Sequence, residues 1–391
     1  YEINEGDIST KKIKKEYCEY IHNKRETILK NEKEVLVKLL SSLSDLYKDL
    51  SDVVAAIEVC NQALNIIKEY SNNPNLVTET YTKLGWLYLN NSEYDKAYNS
   101  LMNALDIQKQ LSNNNQSQLG LGDAYNNLGV LCKDIGDFEK SEIYYKEALT
   151  IKNNIFKDGL SQSVALTYNN LGYLYREMGK LKEAREFILK ALEIQKNIFQ
   201  NDINRPEIAL TYNLLGLVSK DLKEFNEAEK YFKESLEIRL KIYKDDPNHF
   251  DLATTYNNLG SLYRDLKMYP LSITYLQKSL SIKKIIYRDN LYHPWIANTY
   301  HNLGLTYLEM NDFSNSEECF LEALKIRENV FKAHLNHPVF ATLYRDIGIL
   351  YLKQNKYQEA IEMLNKAKEI FKYNGKASNI QEIDELLNSR N

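Results

Sequence analysis

Seven glycines return along this chain at an almost constant interval. Gly85, Gly129, Gly172, Gly216, Gly260, Gly304 and Gly348 are separated by 44, 43, 44, 44, 44 and 44 residues. A tyrosine stands four positions before each, as in Tyr81, Tyr168 and Tyr344. An alanine or serine stands twelve positions after each, and an isoleucine twenty-two after. Ser44 takes the glycine slot of a degenerate first copy, with Ala56 and Ile66 in frame, so the chain holds eight units. A fixed period of roughly 20–50 residues marks an array whose units stack, because a single unit cannot bury its apolar face alone.

Each unit reads as two helices. A stretch such as ALTYNNLGYLYREMG carries apolar residues at helical spacing; a short turn follows, then a second periodic run such as KEAREFILKALEIQKNIF. Only 14 Gly and 6 Pro occur in 391 residues, too little punctuation for an all-β fold. Pro74, Pro206, Pro247, Pro294 and Pro338 fall in the connectors between units, and Pro270 just after a turn, where a missing N–H is tolerated. Gly172 and Ala184 are expected where the two helices of a unit cross, since a larger side chain would push them apart. The spacing predicts an all-α solenoid: a charged helical leader over 1–33, eight helix-turn-helix units over 34–374, and a C-terminal capping helix over 375–391. SNIQEIDELLNS (378–389), with Ile380, Ile383, Leu386 and Leu387, supplies that cap.

The order Tyr–x–x–Leu–Gly–x–x–Tyr, then a small residue, then Ala–Leu–x–Ile, resembles the tetratricopeptide repeat. The long units, with LYHPWIANTYHNLG (291–304), LNHPVFATLYRDIG (335–348) and ALKIRENVF (323–331), resemble those of kinesin light chains. The resemblance implies a right-handed superhelix whose first helices line a concave wall. It also implies a protein-interaction role, as a cargo adaptor in a cytoskeletal or motor-linked complex. In related superhelical groups asparagine at this first-helix site grips peptide backbones.

Counted from each glycine, Tyr at −4, Leu at −1 and the residue at +3 share one helical sector, and −3, −2, +1, +4 and +5 fall opposite. At −3 and −2 stand Asn126–Asn127, Asn169–Asn170, Asn213–Leu214, Asn257–Asn258 and His301–Asn302. Asn costs about 0.6 kcal/mol against Ala inside a helix. A run of amides in register can satisfy both the N–H and the C=O of an extended peptide. At +4 stand Lys133, Arg176, Lys220 and Arg264, a basic strip suited to carboxylates. Leu89, Leu308 and Leu352 hold that slot elsewhere, and Trp86, Val130, Tyr173 and Leu217 at +1 offer apolar contacts. Asp134, Glu177, Asp221 and Asp265 follow each base, so the alternative is a salt-bridge ladder between units, worth little per pair.

Function classes narrow accordingly. The formal charge of −4 argues against a nucleic-acid or membrane-surface binder. No apolar run is long enough to span a bilayer. Cys18, Cys60, Cys132 and Cys319 are scattered without a CxxC, which fits a reducing, cytoplasmic setting. Gly120 and Gly122 form no dinucleotide loop, and His334-x-x-His337 has no third ligand nearby. His293–Pro294 and His337–Pro338 read as turn and cap residues, whereas His301 sits on the groove face as a candidate ligand contact. The expectation is a scaffold without catalysis or cofactor, holding an extended, acidic segment of a partner protein. The alternative is a structural or self-assembling array that uses its convex face or ends, its groove empty or filled by its own tail.

Overall fold

The computed structural model describes residues 33–49, 53–70, 73–91, 93–111, 115–200, 202–288, 291–330, 337–373 and 377–388. The leader expected over 1–33, except Lys33, lies outside them, as do Cys18 and His334. Among the described residues there are helices and no strands. In chain order they are α1 Lys33–Asp49, α2 Val53–Tyr70, α3 Pro74–Asn90, α4 Tyr94–Leu111, α5 Asn115–Asp134, α6 Phe138–Ile155, α7 Gln162–Glu177 and α8 Leu181–Phe199. Then come α9 Pro206–Asp221, α10 Phe225–Ile242, α11 Phe250–Asp265, α12 Tyr269–Ile286, α13 Pro294–Glu309, α14 Phe313–Val330, α15 Pro338–Lys353, α16 Tyr357–Tyr373 and α17 Ala377–Asn388. The fold is an all-α array of tandem helix-turn-helix repeats, the solenoid class. It divides after Gln200 into two bodies, one with α1–α8 and one with α9–α17.

Small residues set the closeness of each helix pair. A Cβ built on Gly216 would lie 2.5 Å from the Phe232 ring, and one on Gly304 would lie 2.5 Å from Phe320. Ala184, Ala228, Ala360 and Ser316, twelve residues after their glycines, are fully buried. In the degenerate first repeat, the Ser44 hydroxyl donates to the Ala56 carbonyl across the crossing (3.0 Å).

The turns explain how the pairs reverse. Seven residues after each glycine of repeats three to eight the chain takes positive φ: Gly136, Gly179, Lys223, Lys267, Asn311 and Asn355. The left-handed residue lets the next N–H reach back into the finished helix, as Lys180 N does to the Tyr175 carbonyl (2.8 Å). Proline opens α3, α9, α13 and α15, where its lack of an N–H leaves nothing unsatisfied. His293 and His337 cap α13 and α15, their ring nitrogens accepting from the N–H groups of Trp295 and Val339.

Within each body, successive first helices touch directly, as α3–α5–α7 and α9–α11–α13–α15. The second helices reach the next repeat mainly through its first helix. The first helices are therefore the inner row of each stack, and the candidate site lies on them.

Candidate functional site

The asparagines divide into two rows with different surroundings. The −3 side chains, Asn126, Asn169, Asn213, Asn257 and His301, are buried, between 2% and 9% exposed. Sequence geometry put them on the open face; the structure corrects this. Asn126, Asn213, Asn257 and His301 turn toward the following repeat, and the −2 side chain of that repeat meets each of them there. Asn170 Nδ2 donates to Asn126 Oδ1 at 3.0 Å, Asn258 Nδ2 to Asn213 Oδ1 at 3.0 Å, and Asn302 Nδ2 to Asn257 Oδ1 at 3.2 Å. The same rung recurs in other chemistry. Lys83 Nζ donates to the carbonyl and hydroxyl of Ser41, and His301 Nε2 lies 2.7 Å from Asp346. Much of what the asparagines cost in helix propensity is therefore offset between repeats.

His301 is accordingly no exposed contact. Arg327 reaches its Nδ1 at 3.3 Å, so that nitrogen accepts and Nε2–H donates to Asp346. Burial holds the imidazole below its usual pKa, and Asp346 is held low by His301 and Arg345 despite its own burial.

In the −2 row Asn127, Asn170, Asn258 and Asn302 remain partly exposed, whereas Leu214 is buried. Asn170, Asn258 and Asn302 each spend one amide proton on the rung, which leaves the second proton and the carbonyl oxygen. Among the described residues, the Asn127 side chain makes no hydrogen bond. One turn earlier on the same helix face, Leu166 and Leu210 are 41% and 39% exposed.

Each base of the strip has an acid beside it, but only in the second body do the pairs cross between repeats, as the salt-bridge alternative expected. Lys220 meets Asp265 of the next repeat (3.3 Å), and Arg264 meets Asp265 (3.1 Å) and Glu309 of the next repeat (3.8 Å). In the first body the pairing is local: Lys133 with Asp134, and Arg176 with Glu177 (3.0 Å). Both of these bases also face one ring, with Lys133 Nζ 4.8 Å and Arg176 Cζ 5.7 Å from the centre of Tyr173. Cations at such distances gain from the ring quadrupole.

Two further columns escaped the sequence reading. Twenty-three residues after their glycines stand Lys152, Arg239, Lys283 and Arg327, all buried. The first three reach a threonine of the next repeat: Lys152 to Thr167 (3.1 Å), Arg239 to Thr255 (2.6 Å) and Lys283 to Thr299 (2.8 Å). Lys152 also pairs with Asp123 (2.8 Å), whereas among the described residues no acid pairs with Lys283, and burial pulls its ammonium down to about 7. The recurrence of Thr five positions before glycine was the available signal. The second column joins Glu142 to Tyr175 and Glu229 to Tyr263, both at 2.7 Å. Among the described residues, no group of three or more His, Cys, Asp or Glu could hold a metal ion, and no helix is long and apolar enough to cross a membrane.

These features define a tandem helical-repeat protein whose repeats are joined by polar rungs along the first helices. Family models described as tetratricopeptide repeat match residues 77–154, 163–241, 207–285, 251–329 and 301–375. The chain belongs to the tetratricopeptide repeat family. No curated protein matches the sequence. Among solved structures, a Rap protein complexed with competence and sporulation factor is 15% identical, with TM-score 0.59, 94% of this chain and 99% of that chain being covered. The Rap conjugation gene regulator of the plasmid pLS20, in complex with the Phr* peptide, is 20% identical, with TM-score 0.57 and coverage of 77% and 76%. A putative kinesin light chain of Podosopora anserina with nearly identical repeats is 18% identical, with TM-score 0.43 and coverage of 54% and 96%. The Rap likenesses are likenesses of fold.

Proposed function

We propose that the chain is a non-enzymatic interaction scaffold whose first-helix face holds an extended segment of a partner protein. The observation that carries this is the −2 row. In the first body Asn127 spends nothing on the array, and Asn170 keeps donor and acceptor capacity one turn from the exposed Leu166; in the second body Asn258 and Asn302 keep the same capacity. Amides of this kind suit a peptide backbone, and the leucines suit its apolar side chains. Near Asn127, Lys133 and Arg176 share the Tyr173 ring and favour an acidic residue in the segment. In the second body the cross-repeat ion pairs leave less charge to select with. One of the two Rap proteins was solved in complex with the Phr* peptide and the other with competence and sporulation factor, which supports a fold suited to holding such ligands. By analogy with kinesin light chains the role is that of a cargo adaptor. Cys60, Cys132 and Cys319 are free thiols, which fits the cytoplasm.

A second reading has its own support, since rungs and ion pairs satisfy most of the inner face from within. On that reading the array is structural and associates through its ends. One experiment separates the two. Random peptides captured by the wild-type protein are re-tested on Asn127→Ala/Leu166→Glu. Affinity should fall at least about tenfold with no loss of thermal stability. Full retention of the captured peptides by the variant removes the inner face from consideration and leaves the structural reading.

A further inference from the structure

Lysines on the second helices of this array commonly pair with a glutamate one turn away. Lys146 meets Glu142, Lys233 meets Glu229, Lys241 meets Glu237 and Lys366 meets Glu362, each between 2.5 and 2.7 Å. Every described second helix except α12 carries at least two acids, and α12 carries none. Between Asp265 and Glu309 the sequence holds one acid, Asp289, against Lys267, Lys278, Lys283, Lys284 and Arg288, in a chain whose formal charge is −4. Lys283 is buried. Lys278 and Lys284 are exposed, and among the described residues no acid pairs with either. Their ammonium groups rest on rings instead: Lys278 Nζ lies 5.6 Å from the centre of Tyr256 and 5.7 Å from that of Tyr275, and Lys284 Nζ lies 5.2 Å from that of Tyr300. The same face turns apolar at the end of α12. Ile285, 50% exposed, stands two turns after Lys278, and Ile286 follows it. Tyr287 stacks on His293 at 3.6 Å, which folds the connector back against the helix end. Tyr292 and Trp295, each 45% exposed, flank that histidine, and Trp295 meets Phe250 of α11 edge-on at 5.3 Å.

We propose that this outer face of α12 docks a segment of a partner protein that carries carboxylates followed by apolar side chains. Lys278 and Lys284 take the carboxylates, and Ile285, Tyr292 and Trp295 take the apolar side chains. The two lysines are six residues apart, about 9 Å along the helix, which is about three residues of an extended partner. An ammonium resting on a ring is held in place and still has N–H groups to give to an acceptor. A lysine on another second helix must release its own glutamate to bind a partner's acid, whereas these two gain their first. That difference selects α12 over its sister helices. Two exposed lysines are a short track for nucleic acid. An anionic bilayer offers matching charge, but Trp295 lies against Phe250 and does not project as an inserting side chain would. The face belongs to a second helix and the amide row to the first helices, so neither reading depends on the other.

The test titrates an acetylated and amidated peptide, Glu-Asp-Glu-Glu-Gly-Phe-Leu, into the whole protein and follows the methyl resonances of Ile285 and Ile286. The shifts should saturate. A counterpart with Gln and Asn for the acids should bind at least about fivefold more weakly, for the loss of two ion pairs, and one with Ala-Ala for Phe-Leu likewise. Lys278→Glu/Lys284→Glu, at two exposed positions, should abolish saturation with thermal stability kept. If that variant does not fold, Ile285→Glu, read at Ile286, should weaken the peptide at least about fivefold. Asn127→Ala/Leu166→Glu should leave the affinity unchanged, which separates this face from the inner one. The proposal is overturned by absence of saturation with the wild type, by equal binding of the uncharged counterpart, or by undiminished binding to either folded α12 variant. Loss of affinity in Asn127→Ala/Leu166→Glu would move the peptide to the inner face, and binding to phosphatidylserine vesicles in place of the peptide would give the face to a membrane; either result also overturns it.

Discussion

Lys223 and Lys267 hold the left-handed turn position that Gly136 and Gly179 hold elsewhere, at φ of 64° and 61°. A side chain there costs about 1 kcal/mol relative to glycine, because Cβ crowds the following carbonyl. Lys267→Gly is therefore expected to stabilise the second body by about 0.5–1 kcal/mol in chemical denaturation, despite the added freedom of the unfolded chain. Asn311→Gly should change little, since asparagine already tolerates the region. A second single-residue device responds to pH. His293 Nδ1 accepts from Trp295 N (3.3 Å), and its ring stacks on Tyr287 at 3.6 Å. Burial, with the nearby Lys283 ammonium, depresses the imidazole to about 4. The unfolded ring titrates near 6.5. The unfolded chain therefore binds the extra proton first, so the stabilisation is complete above pH 6.5 and is lost as pH falls toward 4. The gap between 6.5 and about 4 sets the loss at about 3 kcal/mol once the pH has reached 4, with about 2 kcal/mol of it gone by pH 5. His293→Asn keeps an acceptor and should remove this part of the acid sensitivity, measured as the difference in denaturation midpoint between pH 7 and pH 5.

At the scale of elements, the rungs make opposite predictions for adjacent asparagines. Asn170→Ala removes a donor and strands the buried Asn126 oxygen, a cost of about 1–3 kcal/mol. Alanine returns about 0.6 kcal/mol of helix propensity, so a net loss of about 1 kcal/mol is expected. Asn127→Ala has no rung to break and should stabilise by about 0.6 kcal/mol. Equal losses from both would mean that the rung is not what holds Asn170 in place. The same pair shows how far the sequence was legible. The glycine interval, the small residues at the crossings and the histidine caps follow from local chemistry, and all could be read before any coordinates. The −3 row could not. A helical wheel resolves a residue to a sector about 100° wide, and −3 and −2 differ by that angle. Which of them turns into the neighbouring repeat depends on how repeats stack, and that information lies across 44 residues rather than within one helix. The buried Lys152, Arg239 and Lys283 were hidden for a related reason. A cation on a second helix reads as solvent-facing until the next repeat brings a threonine over it.

For the whole molecule, the junction is the unit of stability, since each repeat is held by its neighbours and a terminal one lacks a partner on one side. In the second body α17 supplies what the eighth repeat would otherwise miss. Ile383 is fully buried there with Phe340, Leu364, Ala367, Ile370 and Phe371, and Ile380, Leu386 and Leu387 pack around them. Two ion pairs flank this contact, Arg345–Glu382 at 3.3 Å and Lys368–Asp384 at 2.5 Å. Their carboxylates are 48% and 41% exposed, so each pair contributes at most about 1 kcal/mol. Truncating a buried isoleucine costs about 2–4 kcal/mol, through lost burial and the void left behind. The apolar contact should therefore dominate. Ile383→Ala is expected to lower the opening free energy of α15–α17 amides by about 2–4 kcal/mol in hydrogen exchange, with α9–α12 amides much less affected, because coupling in a repeat array runs through nearest neighbours. Glu382→Ala/Asp384→Ala should cost no more than about 1–2 kcal/mol. If the charge variant proves the more damaging, the end of the array is held by its salt bridges and the burial argument for α17 fails.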